Sequence, residues 1–466
     1  MPFSNRFHKS CFVIFLVLLV NYALLTKKFQ HFWYDENAEF LASNNRCFVP
    51  KWNRVETNYV SNSLMSYFSK WLWMKLDLSN ESNQNYTGLS LVGAYVYPEH
   101  ISISISAQYL VKQRLYCRYF DCKRQEIPGS AWQGTVFPES VMHCPRRIGA
   151  DFVSVSRNID DEPATPMRLT FRVFEKPPHA FSVCVAPLYG NESKWQLITE
   201  FIEHHKLEGA TFFYFHVGSI SDYDRRMLDD YERSGEIEVK VLPEKYERPF
   251  YAWQLVEIQD CHLRSKFHSK WTAFIDIDER ISTVGKRFVD LLDTVDNGGV
   301  AEIQLQIISF VKDGDAPREY LNEEQTRNEL IFDKYIRAAD PTWNATKAVI
   351  RSDKVGIMSV HNTVAKESGF ETLRVFSDHA AVRHYRATQH RVDGSNWDKI
   401  PQADGSLLKF TERPLDPEFR TNLTKNVLAR VRNVYEKIPV NCSTIPQYMW
   451  ESRKFPDPCQ KMLLTW

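Results

Sequence analysis

The sequence predicts an α/β fold: a largely parallel sheet with helices on both faces, preceded by a smaller β-rich domain and an N-terminal transmembrane helix. Three observations predict it. Residues 10–26 form a charge-free apolar run, residues 89–178 show only short period-two runs, and from residue 179 strand-like runs alternate with helix-length segments. At ~100–200 residues per domain, 466 residues call for more than one. With 43% apolar and 25% charged residues the chain is globular. Lys+Arg and Asp+Glu each number 58, so bulk charge gives no nucleic-acid partner.

Ser10–Thr26, SCFVIFLVLLVNYALLT, lies between Arg6 and Lys9 on one side and Lys27 and Lys28 on the other. As a helix it spans ~25 Å, which suits a thin early-secretory bilayer. No small-x-small cleavage pattern follows it, so it reads as a retained signal-anchor behind a cytoplasmic tail of residues 1–9. Six sequons follow, at Asn80, Asn85, Asn191, Asn344, Asn422 and Asn441, together with eight cysteines outside the anchor. An even cysteine count fits an oxidising lumen, and the lack of any C-x-x-C pair argues against a zinc ribbon. The expected organisation is a single-pass type II membrane protein with residues 27–88 as its stem.

Residues 89–178 contain LVGAYVYPEH, ISISISAQYL, RLYCRYF, DFVSVSR and MRLTFRVFE, separated by turn residues such as Pro128-Gly129. They predict a small sheet or sandwich, bounded by Lys176-Pro177-Pro178. Residues 179–440 form the α/β domain. FSVCVAPLYG, ATFFYFHVG, IEVKVLP and WTAFIDIDERI are strands; helices over Lys194–His205, SDYDRRMLDDYERSG and Tyr251–His268 separate them, and VAEIQLQIISF is a later strand. Such spacing implies βαβ crossovers. Thr421–Lys437 predicts a helix, and Cys442 and Cys459 could close a loop in a C-terminal segment of residues 441–466. Of the adjacent His204 and His205, the second is expected to be partly buried and the first solvated. Trp253 and Trp271 are expected in the core.

WTAFIDIDER runs an apolar strand into three carboxylates. In an open parallel sheet, ligands bind beyond the C-terminal strand ends. In an ideal strand Asp276 and Asp278 share a face while Ile277 points away. Two clustered carboxylates repel unless a cation neutralises them, and a hard divalent ion does so while keeping positions open for phosphate oxygens. In a domain carried behind an anchor, this reads as a metal and nucleotide-sugar site; the alternative is a solvated strand end.

The blocks FIEHHKLEGATFFYFHVGSIS, YERSGEIEVKVLP, QDCHLRSKFHSKWTAFIDIDERI, KAVIRSDKVGIMSVHNTV and RHYR occur in that order. Over residues 180–390 the chain resembles glycosyltransferase family 92. The resemblance implies a GT-A-like, Rossmann-type mixed sheet that uses a UDP-sugar and Mn²⁺. It also implies an inverting galactosyltransferase that extends a glycan or glycoprotein acceptor, the core fucose of N-glycans being one, in the Golgi or ER lumen. Asp276 and Asp278 would hold the metal, Asp276 alternatively reaching the donor ribose or galactose. His384 and His361 are the candidates for a third ligand, since imidazole suits Mn²⁺; His384 is assigned to the metal and His361 to the diphosphate. Lys347, Arg351 and Arg386 are candidates to pair phosphate oxygens, with surface charge as the alternative. Inversion needs one base for the acceptor proton. Asp313 and Asp315 stand where VAEIQLQIISF ends, either as that base or as a turn built on Asp-Gly. Two rival readings remain: a lumenal carbohydrate-binding protein with an inactive transferase domain, and the same enzyme class with another UDP-sugar.

Overall fold

A computed structural model describes residues 88–107, 110–242, 250–296, 299–387 and 409–436. The expected anchor, tail and stem, and residues 441–466 with Cys442 and Cys459, lie outside the described residues. Among the described residues no helix is long and apolar enough to cross a membrane. The chain divides into two compact units, Met1–Phe171 and Arg172–Trp466.

The first unit carries β1 (Leu91–Val96), β2 (His100–Ile105), β3 (Arg114–Phe120), β4 (Trp132–Thr135), β5 (Val141–Pro145), β6 (Phe152–Ser156), β7 (Met167–Arg168) and β8 (Thr170–Phe171). They form two four-stranded sheets, ordered β5-β2-β1-β8 and β4-β3-β6-β7. Ile101, Ile103 and Met142 of one sheet pack with Leu115, Tyr119 and Val153 of the other. The Cys117–Cys144 disulfide joins β3 to β5, and so sheet to sheet.

The second unit contains β9 (His179–Val185), α1 (Trp195–Leu207), β10 (Phe212–Val217), α2 (Asp222–Arg233), β11 (Ile237–Val241), α3 (Phe250–Ser265), β12 (Ser269–Ile275), β13 (Glu279–Thr283), α4 (Phe288–Val295) and β14 (Val300–Lys312). It continues through α5 (Glu323–Asn328), α6 (Ile331–Lys334), β15 (Arg337–Ala338), β16 (Thr342–Ile350), β17 (Val355–Met358), β18 (Thr363–Lys366), β19 (Glu371–Val375), β20 (Ala380–Ala387), β21 (Thr411–Glu412) and α7 (Pro417–Tyr435).

β11, β10, β9 and β12 lie in that order and all run parallel, as the βαβ reading requires. The rest of the sheet corrects the expectation of a largely parallel one. β16 inserts antiparallel between β12 and β14, and β19 and β20 line the other edge of β14. Residues 337–387 fold as strands with no helix among them: β16 returns antiparallel to β14, and β19 and β20, reached through the β17–β18 hairpin, run parallel to β14 again.

α1 begins where Asp224, at the start of α2, accepts from the Lys194 and Trp195 amides at 2.8 Å each. It ends at Gly209, whose φ of +97° only glycine adopts easily, with the Ala210 amide returning to His205 O at 2.8 Å. Both histidines of α1 are buried, which corrects the solvated reading of His204. His204 meets Ile281 O at 2.7 Å and lies edge-on to Phe419, so its side of the helix is covered by β13 and α7.

Candidate functional site

The parallel strands reverse their winding between β9 and β12: β10 and β11 lie on one side of β9 and β12 on the other. Such a switch point opens a crevice at the carboxyl ends of the strands. β12 ends there at Ile275, beside Ala186, whose amide donates to Ile275 O at 3.1 Å.

Asp276, Ile277 and Asp278 form a turn rather than a strand, closed by the Glu279 amide donating to Asp276 O at 3.0 Å. This corrects the expectation that the two aspartates share one strand face. The turn sends them to different partners. Asp276 Oδ2 lies 2.8 Å from Lys347 Nζ on β16, and Asp278 Oδ2 lies 3.3 Å from His384 Nε2 on β20. Glu279, fully buried, stands between them: it accepts from the Asp276 amide at 2.8 Å, meets Lys347 Nζ at 3.1 Å and faces His384 Nδ1 at 3.6 Å. Arg280 fastens the turn from beneath, donating to Ile277 O at 2.6 Å and Glu279 O at 2.8 Å and covering the Phe201 ring.

Burial works against charge on Asp278, but His384 and then Lys347 hold its carboxyl below the usual range. Burial lowers the His384 value while Asp278, then Glu279 and Asp276, outweigh it and raise it. Burial raises Glu279 against the pull of Lys347. Tyr189, in the loop after β9, is pushed up to about 12 by burial and by Asp276 and Asp278, so its phenol belongs to this neighbourhood.

The structure therefore brings Asp276, Asp278, Lys347 and His384 together. His361, at the tip between β17 and β18, joins them through Thr346 O at 3.1 Å, and burial followed by Lys347 lowers its pKa. Arg386 is exposed and stands two residues along β20 from His384, on the same strand face. Arg351 is not brought in. β16 runs antiparallel to β12 with Ile350 opposite Thr272, so Arg351 emerges at the end of β12 far from the carboxylates, against Phe370. Asp313 and Asp315 are exposed beyond β14, at the same end of the sheet as Asp276 but in a turn of their own. Trp271 is buried core; the Trp253 side chain lies outside the described residues.

Glu279 and Lys347 show what residue spacing alone missed. Glu279 was visible as the third carboxylate of WTAFIDIDER, yet only the turn gives it a task. No pattern pairs Asp276 with a lysine 71 positions away. A narrow pocket beside them is lined by Cys184, Gln254, Glu257, Asp276, Lys347 and Val360. Burial, then Asp276, raises the Glu257 carboxyl well above its ordinary value.

The donor set fits a divalent cation in part. Asp278 and His384 supply an oxygen and an imidazole nitrogen 3.3 Å apart, the spacing of two neighbouring ligands on one ion, and Asp278 is one-third exposed. Asp276 has its negative charge met by Lys347 instead.

Residues 179–423, just over half of the chain, match the family described as glycosyltransferase family 92. Beta-1,4-galactosyltransferase galt-1 of Caenorhabditis elegans is 26% identical over 244 residues, covering 50% of this chain and 54% of that protein. Galactan beta-1,4-galactosyltransferase GALS1 of Arabidopsis thaliana is 29% identical over 111 residues, 22% of each chain. The chain thus spans about half the length of one of these relatives and less of the other. Among solved structures, the mannosyltransferase PcManGT from Pyrobaculum calidifontis in complex with GDP-Man and Mn²⁺ is 10% identical, with a TM-score of 0.27, over 46% of this chain and 58% of that one. S. aureus TarS in complex with UDP-GlcNAc is 15% identical, with a TM-score of 0.25, over 45% and 59%. Overlaps that slight decide nothing about fold or ligand.

Proposed function

The chain belongs to glycosyltransferase family 92, and from that premise we propose that it transfers a hexose, galactose first among the candidates, from a UDP-sugar to a glycan acceptor with inversion. One observation carries the reading: Asp278 with His384, and Asp276 with Lys347, converge where β12 ends at the switch point of the sheet. The cluster is negative and opens to solvent, which suits a divalent cation, Mn²⁺ in this reading, held by Asp278 and His384. A bound cation would offset the charge that grows on the departing diphosphate.

The chain's own residues do the rest. Lys347 keeps the turn closed by holding Asp276 and Glu279 together. Asp276, about one-third exposed, remains available to accept a hydroxyl of the ribose or of the transferred sugar. Arg386 lies on the His384 side, where a guanidinium pairs phosphate oxygens. His361 borders the same space. In a single displacement the acceptor oxygen bonds to the sugar's C1 as the bond from C1 to the diphosphate oxygen breaks. UDP leaves with the electron pair, and the acceptor proton passes to a carboxylate. Asp313 or Asp315, at the same sheet end, takes that proton in this proposal. The sequons, the cysteine count and the apolar run at residues 10–26 support a lumenal body on a Golgi or ER membrane.

The test is release of UDP from UDP-galactose, UDP-glucose and UDP-N-acetylglucosamine by the full chain in detergent, with Mn²⁺ and with EDTA. The expected result is Mn²⁺-dependent release, greatest with UDP-galactose and lowered by ~10²-fold or more in Asp278→Asn. No release from any of the three donors would overturn the reading.

A further inference from the structure

Next to Lys347 the sheet carries a bulge of which the site described so far uses only the Thr346 carbonyl. Leu305 pairs with Lys347 and Ile307 with Thr342, so β16 takes five steps where β14 takes two. Three surplus residues are pushed out of the ladder, and Ala345 among them holds a left-handed φ of 55°. Bulges of this kind re-aim side chains beside active sites. The bulge is tied to the site at its C-terminal end: its Thr346 carbonyl meets His361 at 3.1 Å, and Lys347 follows directly.

The bulge presents Trp343. Its indole stands edge-on to Phe376, with ring centroids 5.3 Å apart, and the Arg374 guanidinium lies 5.5 Å over its ring. Phe376 is 58% exposed, so this aromatic pair reaches the surface. Directly paired residues share a sheet face. Phe274 pairs with Ala348, Ala348 with Gln304, and Gln304 with Arg374. That row runs unbroken from Phe274, which lines the pocket beside Asp276, to the Trp343 group. Measured along β14, Thr342, the residue before Trp343, lies two strand positions past Lys347, or ~7 Å toward the carboxylate end of β12.

We propose that Trp343, raised by the bulge and braced by Phe376 and Arg374, is the platform on which the acceptor glycan rests. This rests on the glycosyl-transfer reading above and adds the second contact the acceptor needs. The C–H face of a hexose meets the electron-rich face of an aromatic ring, and a guanidinium fork offers donors to hydroxyl oxygens. With the reacting sugar over the carboxylates, the next sugar of the acceptor lies on Trp343. The platform therefore selects for oligosaccharides over a free monosaccharide.

The experiment compares the full chain with Trp343→Ala, Trp343→Phe and Arg374→Ala. The probes are β1,4-linked galacto-oligosaccharides of one to four sugars and a core-fucosylated N-glycan, and UDP binding with Mn²⁺ is measured by calorimetry. Trp343→Ala is expected to raise the KM of the longer acceptors about 10-fold at nearly unchanged kcat, with UDP affinity intact. The monosaccharide should show no such penalty, and Trp343→Phe should recover most of the loss. Unchanged KM in both alanine variants, or an equal loss with the monosaccharide, overturns the platform alone. So does Asn344→Gln reproducing the effect, since the ring would then serve a glycan on the neighbouring sequon. If the unaltered chain neither binds UDP nor transfers to either probe, the function reading fails and the platform falls with it.

Discussion

Two clusters of buried carboxylates sit in the second unit, and they are built in opposite ways. Beneath β10 and β11, Glu238 and Asp260 face Arg172, Arg264, Lys240 and His216. Arg172 Nη2 reaches both Glu238 oxygens at 2.7 Å, Arg264 Nε reaches one at 3.3 Å, His216 meets Asp260 at 2.7 Å and Lys240 stands 3.9 Å from it. Burial opposes the Glu238 charge, but Arg264 and Arg172 bring its carboxyl down to about 2. Arg264 is fully buried, with its remaining donors spent on Phe215 O and Glu238 O. At the end of β12, three carboxylates share one lysine and one histidine, and two of the three remain about one-third exposed. The first cluster, closed around buried Asp260 and Arg264, sets three cations and a histidine against two carboxylates, although Glu238 is one-third exposed; the second is short of positive charge. A network with its carboxylates fully countered holds a scaffold together, whereas an acidic one keeps a place for a cation or a ligand.

Removing a cation should hurt the two clusters differently. Arg264→Met strips the closed network of its central guanidinium and leaves buried carboxylate charge uncompensated; chemical denaturation should show a loss of about 3–5 kcal/mol. A loss below ~1 kcal/mol would mean that the network is not load-sharing and that the contrast is wrong. Asp278→Asn should do the reverse. It should cost ~10²–10³-fold in donor turnover but only about 1 kcal/mol or less of unfolding free energy, because the pairing with His384 that it removes is partly exposed to solvent. A matched drop in stability and turnover would assign Asp278 to the scaffold.

Adding the cation sharpens the contrast. At 100 times its dissociation constant, Mn²⁺ should stabilise the chain by about 2.7 kcal/mol, read as an upward shift in melting temperature that EDTA reverses. The shift should vanish in Asp278→Asn and in His384→Ala; its persistence in both would move the metal elsewhere.

A separate effect, read as a pH slope, concerns Glu200 and Glu208, which belong to neither cluster. Burial, the largest influence on each, pushes both up to about 7, against hydrogen bonds from Gln196 to Glu200 and from the Phe288 amide to Glu208. The folded state therefore holds these protons more tightly than the unfolded chain. The resulting stability is fully present below the ordinary glutamate value and is lost as pH rises through about 7. Each group should contribute a fall of ~1.4 kcal/mol per pH unit within that window, and Glu200→Gln should remove one share of the slope. Denaturation midpoints at pH 5, 6, 7 and 8 measure this. A midpoint that climbs across the series would contradict it.

Most of the parallel half of the fold was legible in residue order. β9, α1, β10, α2, β11, α3 and β12 follow the apolar periodicity, because each buries one face or one stripe against the same sheet. The mixed half was not. β16 carries TWNATKAVI, antiparallel to both of its neighbours, and β19 ETLRV, parallel to β14; the register of each depends on which neighbours it meets. The site divided along the same line. Asp276 and Asp278 stood out because they end the fourth strand of an α/β domain, where ligands bind, and His384 and Lys347 were named through family likeness rather than spacing. His204 was misplaced because helical periodicity says which residues share a face, not how many faces are covered.

By itself, the order of residues determined where strands and helices alternate, and it placed the acidic exit of β12 at the carboxyl end of the parallel sheet. These are local matters of side-chain period and chain length. Only the tertiary structure decided that Asp276 meets Lys347 and Asp278 meets His384, because those contacts close loops of 71 and 106 residues and depend on strand register. The energies that set register come from packing across strands, which no single segment contains.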